Sequence, residues 1–262
     1  MNFNMFRPKR VENLTRYGSK NDGGYLLPND LKFELLISCG LGDDWNFEKD
    51  LKSSGTIIDF IVFDHTVSIG QLLQKVFRSV KKIFDDPMNF LYRVRILVRY
   101  IFTFFGKRHL QLKVVRKIQH SGEISLLEIL ERHTNSISSC FLKIDIEGGE
   151  WQILEEISNF VHKIDGLIIE FHEINSHLSE YLDFSSRIQN SFSLIHIHAN
   201  NFSFIGSKGI PDVLEATYIK NSLVSTSTQR DTLPILGLDA PCAPKRPDYH
   251  WDFNTSSVYL KQ

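Results

Sequence analysis

The chain has 262 residues, 42% of them hydrophobic: enough for one α/β domain with an insertion, and too apolar for a disordered segment. Its formal net charge of -1 excludes a bulk attraction for nucleic acid, and with no recognisable nucleic-acid module, no specific nucleic-acid binding is expected. Cys39, Cys140 and Cys242 are too far apart for a C-x-x-C pair and require no oxidising compartment.

The chain reads as a single domain over 1–262. Residues 1–30 read as an irregular arm, in which Asp22-Gly23-Gly24-Tyr25 makes a tight turn because paired glycines permit positive φ. Phe33 to Cys39 is a buried strand running into Gly40-Leu41-Gly42-Asp43-Asp44. A helix follows from Trp45 to Lys52, with Asp43 or Asp44 as its N-cap. Thr56 to Asp64 is a second apolar strand that ends on an acid. Residues 68–110 exceed a minimal α/β unit and read as a helical insertion after this second strand. Gln111 to Ile118 is the third strand, and Ser125 caps a helix over Leu126 to Arg132. Cys140 to Ile146 is again a buried strand, turned by Gly148-Gly149 into a helix from Glu150 to Phe160. A strand over Ile164 to Phe171, helical character over Glu173 to Asn190, and strands over Ser193 to His198 and Val213 to Lys220 complete the sheet. Residues 221–262 are a loop-rich tail, with the proline-rich Pro241 to Pro247 wrapping the surface.

Strand, glycine turn, helix, strand, acid is the first half of a nucleotide-binding unit. Gly40 and Gly42 let the backbone approach a ligand, and the following helix start offers free N–H groups. Asp64 is placed to accept ribose hydroxyls, with His65 beside it facing cofactor or solvent. The third glycine of the dinucleotide fingerprint is missing. Asp145 and Glu147 alternate with Ile144 and Ile146 at the carboxyl end of a central strand, where ligands of open α/β sheets bind, and period-2 geometry turns them to one side. The alternative role for Glu147 or Glu150 is to cap the helix start before Trp151.

The segment Leu142-Lys143-Ile144-Asp145-Ile146-Glu147-Gly148-Gly149-Glu150, followed by Ile153-Leu154, resembles the hallmark of the FkbM-like methyltransferases. Gly18 to Tyr25, Ser38 to Gly42, Pro211 to Glu215 and Asp239 to Pro241 resemble other parts of those enzymes. The resemblance implies a Rossmann-like class I methyltransferase fold: a mostly parallel seven-stranded sheet with helices on both faces. It implies S-adenosylmethionine as cofactor and a hydroxyl of a sugar or glycan precursor as acceptor. Asp22, Gly23, Gly24, Tyr25, Gly40, Gly42, Asp43, Asp64, His65, Asp145 and Glu147 become cofactor-binding candidates. Asp145 and Glu147 could hold the methionine amino group, orient a sugar hydroxyl or bind a metal. An alcohol acceptor must also lose a proton. His172, Glu170 and Asp145 are the catalytic candidates, with Glu173 close by and His196 and His198 alternating onto one face of the next strand. A divalent metal held by Asp145, Glu170 or His172 and a histidine stays open, without a close ligand spacing to identify it.

Residues 71–117 concentrate Lys75, Arg78, Lys81, Lys82, Arg93, Arg95, Arg99, Lys107 and Arg108 among aromatics that include Phe77, Phe84 and Phe105. The pattern fits a helical lid, a surface that contacts anionic membrane, or an anion site for a phosphorylated sugar. The longest apolar run, Phe90 to Phe105, is broken by three arginines and is too polar to span a bilayer. The N-terminus lacks the apolar stretch of a secretory signal. The expectation is therefore a cytoplasmic protein, with peripheral contact at the inner membrane face left open. A nicotinamide-dependent sugar oxidoreductase and a non-catalytic binding protein of the same fold are the alternatives. The former also lacks a Tyr-x-x-x-Lys pair in a suitable helix.

Overall fold

The computed structural model describes residues 3–81, 83–104 and 109–260. In chain order the strands and helices are β1 (Leu14–Gly18), β2 (Gly24–Pro28), β3 (Phe33–Cys39), α1 (Asn46–Ser53), β4 (Ile57–Phe63), α2 (Ile69–Val80), α3 (Pro87–Phe104), β5 (His109–Leu110), β6 (Lys113–Val115), β7 (Glu123–Ser125) and α4 (Leu126–Thr134). They continue with β8 (Cys140–Ile144), α5 (Leu154–Asn159), β9 (Gly166–Phe171), α6 (Leu178–Ile188), β10 (Phe192–Ala199), β11 (Leu214–Lys220), β12 (Thr232–Leu233), β13 (Tyr249–Asp252) and β14 (Ser257–Leu260).

Seven strands form the central sheet in the order β10-β11-β9-β8-β3-β4-β5. Every neighbouring pair from β9 to β5 is parallel, whereas β11 runs antiparallel to both β9 and β10. This is the Rossmann-like class I methyltransferase fold, with the one reversed strand next to the edge. Side chains alternate between two apolar layers, as strand geometry requires. Ile37, Leu142 and Ile169 face α4, α5 and α6. Leu36, Phe141 and Ile168 face α1, α3 and the β1–β2 hairpin. The three cysteines are buried and free.

Several elements differ from the sequence expectation. The 1–30 arm is not irregular: β1 and β2 pair antiparallel, and Tyr17, Tyr25, Leu26 and Leu27 bury over α1 and its strand. The third sheet strand is His109–Leu110 and not Gln111 to Ile118. A bond from Leu112 N to Leu110 O (2.8 Å) bends the chain there, and β6 leaves to pair with β7. The expected Glu150 to Phe160 helix is a 3-10 turn (Glu150–Gln152) and then α5, because the Glu150 side chain is drawn across to the next strand. Helix α6 starts only at Leu178, since Glu173 adopts φ 54° and Ile174 N bonds Asp212 O. The 221–262 tail carries a β12–β13–β14 sheet, whose Trp251 packs against Phe3 and Phe6.

The insertion is a helical pair tied to the sheet edge. Ile96, Tyr100 and Phe104 of α3 are buried. Trp45 Nε1 donates to Thr103 Oγ1 at 3.1 Å, and Lys75 and Arg93 both pair with Asp43. Lys82, Phe105, Lys107 and Arg108 lie outside the described residues. Among the described residues no helix is long and apolar enough to cross a membrane.

Candidate functional site

A cleft of about 710 Å³ opens at the carboxyl ends of β3, β4, β8 and β9, where the glycine loop and the two acidic strand ends meet. Gly40 shapes its rim. It sits at φ +90°, and a Cβ there would lie 1.6 Å from the Asp145 carbonyl oxygen, so the β3 and β8 ends approach only because no side chain intervenes. Asp145 N closes the junction on Cys39 O at 2.8 Å.

Asp64 holds the glycine loop in shape. Its Oδ2 accepts from Leu41 N (2.7 Å) and Gly42 N (3.1 Å), and its Oδ1 accepts from Thr66 N and Oγ1. Burial opposes ionisation, but these four donors outweigh it and keep the carboxyl below the usual range. Both oxygens expected to receive ribose hydroxyls are thus engaged by protein. His65, beside it, is exposed on the cleft wall. Asp43 also lines the cleft, with its carboxylate taken by Lys75 and Arg93. Asp22, Gly23 and Tyr25 reach the cleft from the hairpin turn. Gly24 is not among the lining residues: it packs inside the turn, where a Cβ would lie 2.1 Å from Ser19 O.

The cleft is strongly acidic. Asp22, Asp145, Glu147 and Glu170 all line it, with Glu170 at its floor and Asp22 and Glu147 exposed at its rim. Glu170 is buried, and Asn200 Nδ2 donates to its Oε1 at 3.2 Å. Burial, then the charges of Asp145, Glu215 and Asp22, lift its carboxyl well above the usual range. Asp22 is solvent-accessible at the mouth; crowding by protein, then repulsion from Glu215 and Asp145, raises it to about 6. Lys143 answers these charges from within the central strand. Its ammonium is buried, donates to Gly40 O at 3.0 Å and lies 3.6 Å from Asp145 Oδ2. Burial would lower its pKa, but Asp145, Glu48 and Glu170 win and hold it above the ordinary lysine value.

His172 faces the cleft with one nitrogen anchored. Its Nδ1 lies 3.0 Å from Glu150 Oε1, which also accepts the His172 backbone N–H at 2.6 Å. The other Glu150 oxygen accepts from Gly148 N at 2.9 Å. Nε2 is then directed at Glu147 (3.5 Å) and Glu170 (3.8 Å). Burial disfavours the imidazolium, but the Glu150 hydrogen bond and the charges of Glu150, Asp145 and Glu147 outweigh it, so the pKa is raised. A histidine oriented at Nδ1 by a fully buried carboxylate, with Nε2 turned toward the cleft, has an arrangement in which a general base could work. Asp145, Glu147 and His172 also offer ligand atoms within 4.8 Å of one another.

Asp145, Glu147, Glu170 and His172 therefore converge, with Asp22 and Tyr25 opposite. Glu173, at φ 54° and exposed, and His196, bonded to Asp239 at 3.1 Å, are not cleft-lining residues. Two side chains that shape the cleft escaped the sequence reading. Lys143 had a signal, as the lone charge inside an apolar strand. Glu150 had none, because its partner His172 lies one strand away.

No family model matches the chain, and no curated protein matches it. Among solved structures, it is similar to the small RNA methyltransferase HEN1 at 12% identity and a TM-score of 0.36, covering 76% of this chain and 24% of that one. It is also similar to spermidine synthase from Thermotoga maritima at 8% identity and a TM-score of 0.35, covering 81% and 71%. The chain thus spans about a quarter of the HEN1 chain. At such values neither likeness bears on activity, and the fold rests on the strand order and the one reversed strand.

Proposed function

We propose that the chain is an S-adenosylmethionine-dependent methyltransferase that acts on a hydroxyl of a sugar or glycan precursor, as its resemblance to FkbM-like enzymes implies. The observation that carries this reading is the surplus of carboxylates around a cleft at the parallel strand ends. The donor set fits the cofactor. S-adenosylmethionine brings a sulfonium and an ammonium, which Asp22, Asp145 and the Glu170 carboxyl complement. A nicotinamide dinucleotide would instead set its pyrophosphate against those acids, which disfavours the oxidoreductase alternative.

When bound, the cofactor supplies a methyl group already activated by its sulfonium. The protein binds, orients and moves a proton. Asp64 keeps the Leu41 and Gly42 backbone in place, and Lys143 prevents the acidic floor from repelling itself. His172 Nε2 takes the proton of the acceptor hydroxyl, while Glu150 fixes Nδ1–H.

Calorimetric titration with S-adenosylmethionine and with NAD tests the cofactor assignment, and the reading predicts heat only from the former. The affinity is expected to rise between about pH 5 and about pH 8 as Asp22 ionises through about 6. The gain is on the order of fivefold, because solvent screens a charge at the mouth. Asp22→Asn should flatten that rise; tighter NAD binding would defeat the proposal.

The helical insertion supports a membrane-associated acceptor. Phe77, Phe84, Met88 and Phe102 are 68%, 99%, 73% and 80% exposed, alongside Arg78, Lys81 and Arg95. Such a face suits insertion at anionic headgroups, which supports a peripheral position at the cytoplasmic face of a membrane. Co-sedimentation with anionic vesicles at low salt is expected, reduced several-fold by Phe84→Asp, which adds a charge at the hairpin tip. Equal sedimentation with neutral vesicles would count against this placement.

A further inference from the structure

Behind the acidic cleft floor a second cluster occupies the junction of the sheet with the C-terminal segment. His198 on β10 and Glu215 on β11 are directly opposite in the antiparallel register, and Glu215 is in turn opposite Glu170 of β9. Cys242 is laid over this pair by the segment that follows the reversed strand. His198, Glu215 and Cys242 are 4%, 4% and 2% exposed. One ligand atom from each lies within 4.8 Å of the others. Cys242 Sγ lies 3.7 Å from His198 Nδ1 and 3.5 Å from Glu215 Oε1, and His198 Nδ1 lies 3.1 Å from Glu215 Oε2.

We propose that His198, Glu215 and Cys242 form a zinc site that fastens the C-terminal segment to the sheet. Zinc bonds of about 2.3 Å to sulfur and about 2.0–2.1 Å to nitrogen and oxygen give tetrahedral edges of roughly 3.3–3.6 Å. Each observed separation lies within a few tenths of an ångström of that, the sulfur and the nitrogen meeting different Glu215 oxygens, so a turn of that carboxylate lets one oxygen join the cation's shell. Donor chemistry selects the metal: a thiolate and an imidazole disfavour magnesium and calcium, whereas a mixed sulfur, nitrogen and oxygen set suits zinc.

The surroundings support the assignment independently. His198 Nε2 lies 3.2 Å from Asp248 Oδ2, and the other Asp248 oxygen accepts from Tyr249 N at 2.9 Å. A carboxylate that receives the remaining ring N–H is how ligating histidines are commonly oriented. The donors come from three separate stretches, β10, β11 and the Cys242 loop. One ion would therefore tie the tail to the two strands that flank the cleft floor. Three protein donors leave a fourth position for water or the second Glu215 oxygen.

The test uses the full chain, stripped with chelator and then loaded with zinc or cobalt(II). Metal analysis should give one zinc per chain, with a melting temperature raised by several degrees on loading. Cobalt(II) should give an intense near-ultraviolet thiolate charge-transfer band. Cys242→Ser removes that band, whereas Asp145→Asn, which alters the separate cleft cluster, leaves it in place. Should Cys242→Ser fail to fold, the wild-type spectrum decides by itself. A folded chain that takes up no zinc would overturn the site and leave His198 as an imidazole held between two carboxylates. So would a cobalt spectrum without the thiolate band, or a band lost in Asp145→Asn.

Discussion

Gly40→Ala is expected to lower the melting temperature by roughly 10 °C and to abolish binding of S-adenosylmethionine. Two costs add. The backbone sits at φ +90°, where a side chain is strained, and the new Cβ would lie 1.6 Å from the Asp145 carbonyl oxygen. Relieving that overlap must part the carboxyl ends of β3 and β8. This breaks the 2.8 Å bond from Asp145 N to Cys39 O and displaces the Lys143 anchor on Gly40 O. Backbone strain and overpacking together come to roughly 3–5 kcal/mol. Gly42→Ala is the matched control. It has φ +60°, and a Cβ added there would meet nothing within 4 Å, so it should lose only about 1 kcal/mol. Thermal denaturation with calorimetric titration checks both; similar losses in the two variants would refute the close-approach explanation.

His172→Ala is expected to lower kcat for methyl transfer by roughly 10²–10⁴-fold, with KM for the cofactor little changed. The geometry behind this is the fixed Nδ1 contact to Glu150 at 3.0 Å and an Nε2 that faces the cleft, 3.5 Å from Glu147. The pH dependence carries a sign. A general base works only when neutral, so the rate rises with pH through the histidine pKa. That pKa is raised because the hydrogen bond and charge of Glu150 overcome burial, placing the acid limb above the ordinary value of about 6.5. Glu150→Gln keeps an acceptor for Nδ1–H but removes the charge, and should move the limb to lower pH. Steady-state rates across pH decide the matter: an unmoved limb in Glu150→Gln, or near-normal kcat in His172→Ala, would exclude His172 as the base.

The convergence of Asp145, Glu147, Glu170 and His172 was legible because two strands each end in a polar cluster after an apolar run. Parallel strands in one sheet bring such ends to one edge whatever the details of the loops. The hairpin within residues 1–30 was not legible. Its apolar positions read as an arm until α1 supplies the surface on which Tyr25 and Leu27 bury. The short third strand was also hidden, since the bend after Leu110 depends on backbone geometry that no residue type announces.

The sequence by itself determined the periodic features: apolar strands, the glycine loop after β3, acids at strand ends, and the basic, aromatic character of the insertion. These follow from local rules of side-chain alternation and backbone freedom, which need no distant partner. Only the tertiary structure decided pairings between distant segments. It sets Glu150 behind His172, turns Asp64 onto the glycine loop of the neighbouring strand, buries Lys143 among carboxylates, and brings Cys242 over His198 and Glu215. Each of those depends on which elements become neighbours across the sheet, a choice made by packing the whole core and not by any one stretch of chain.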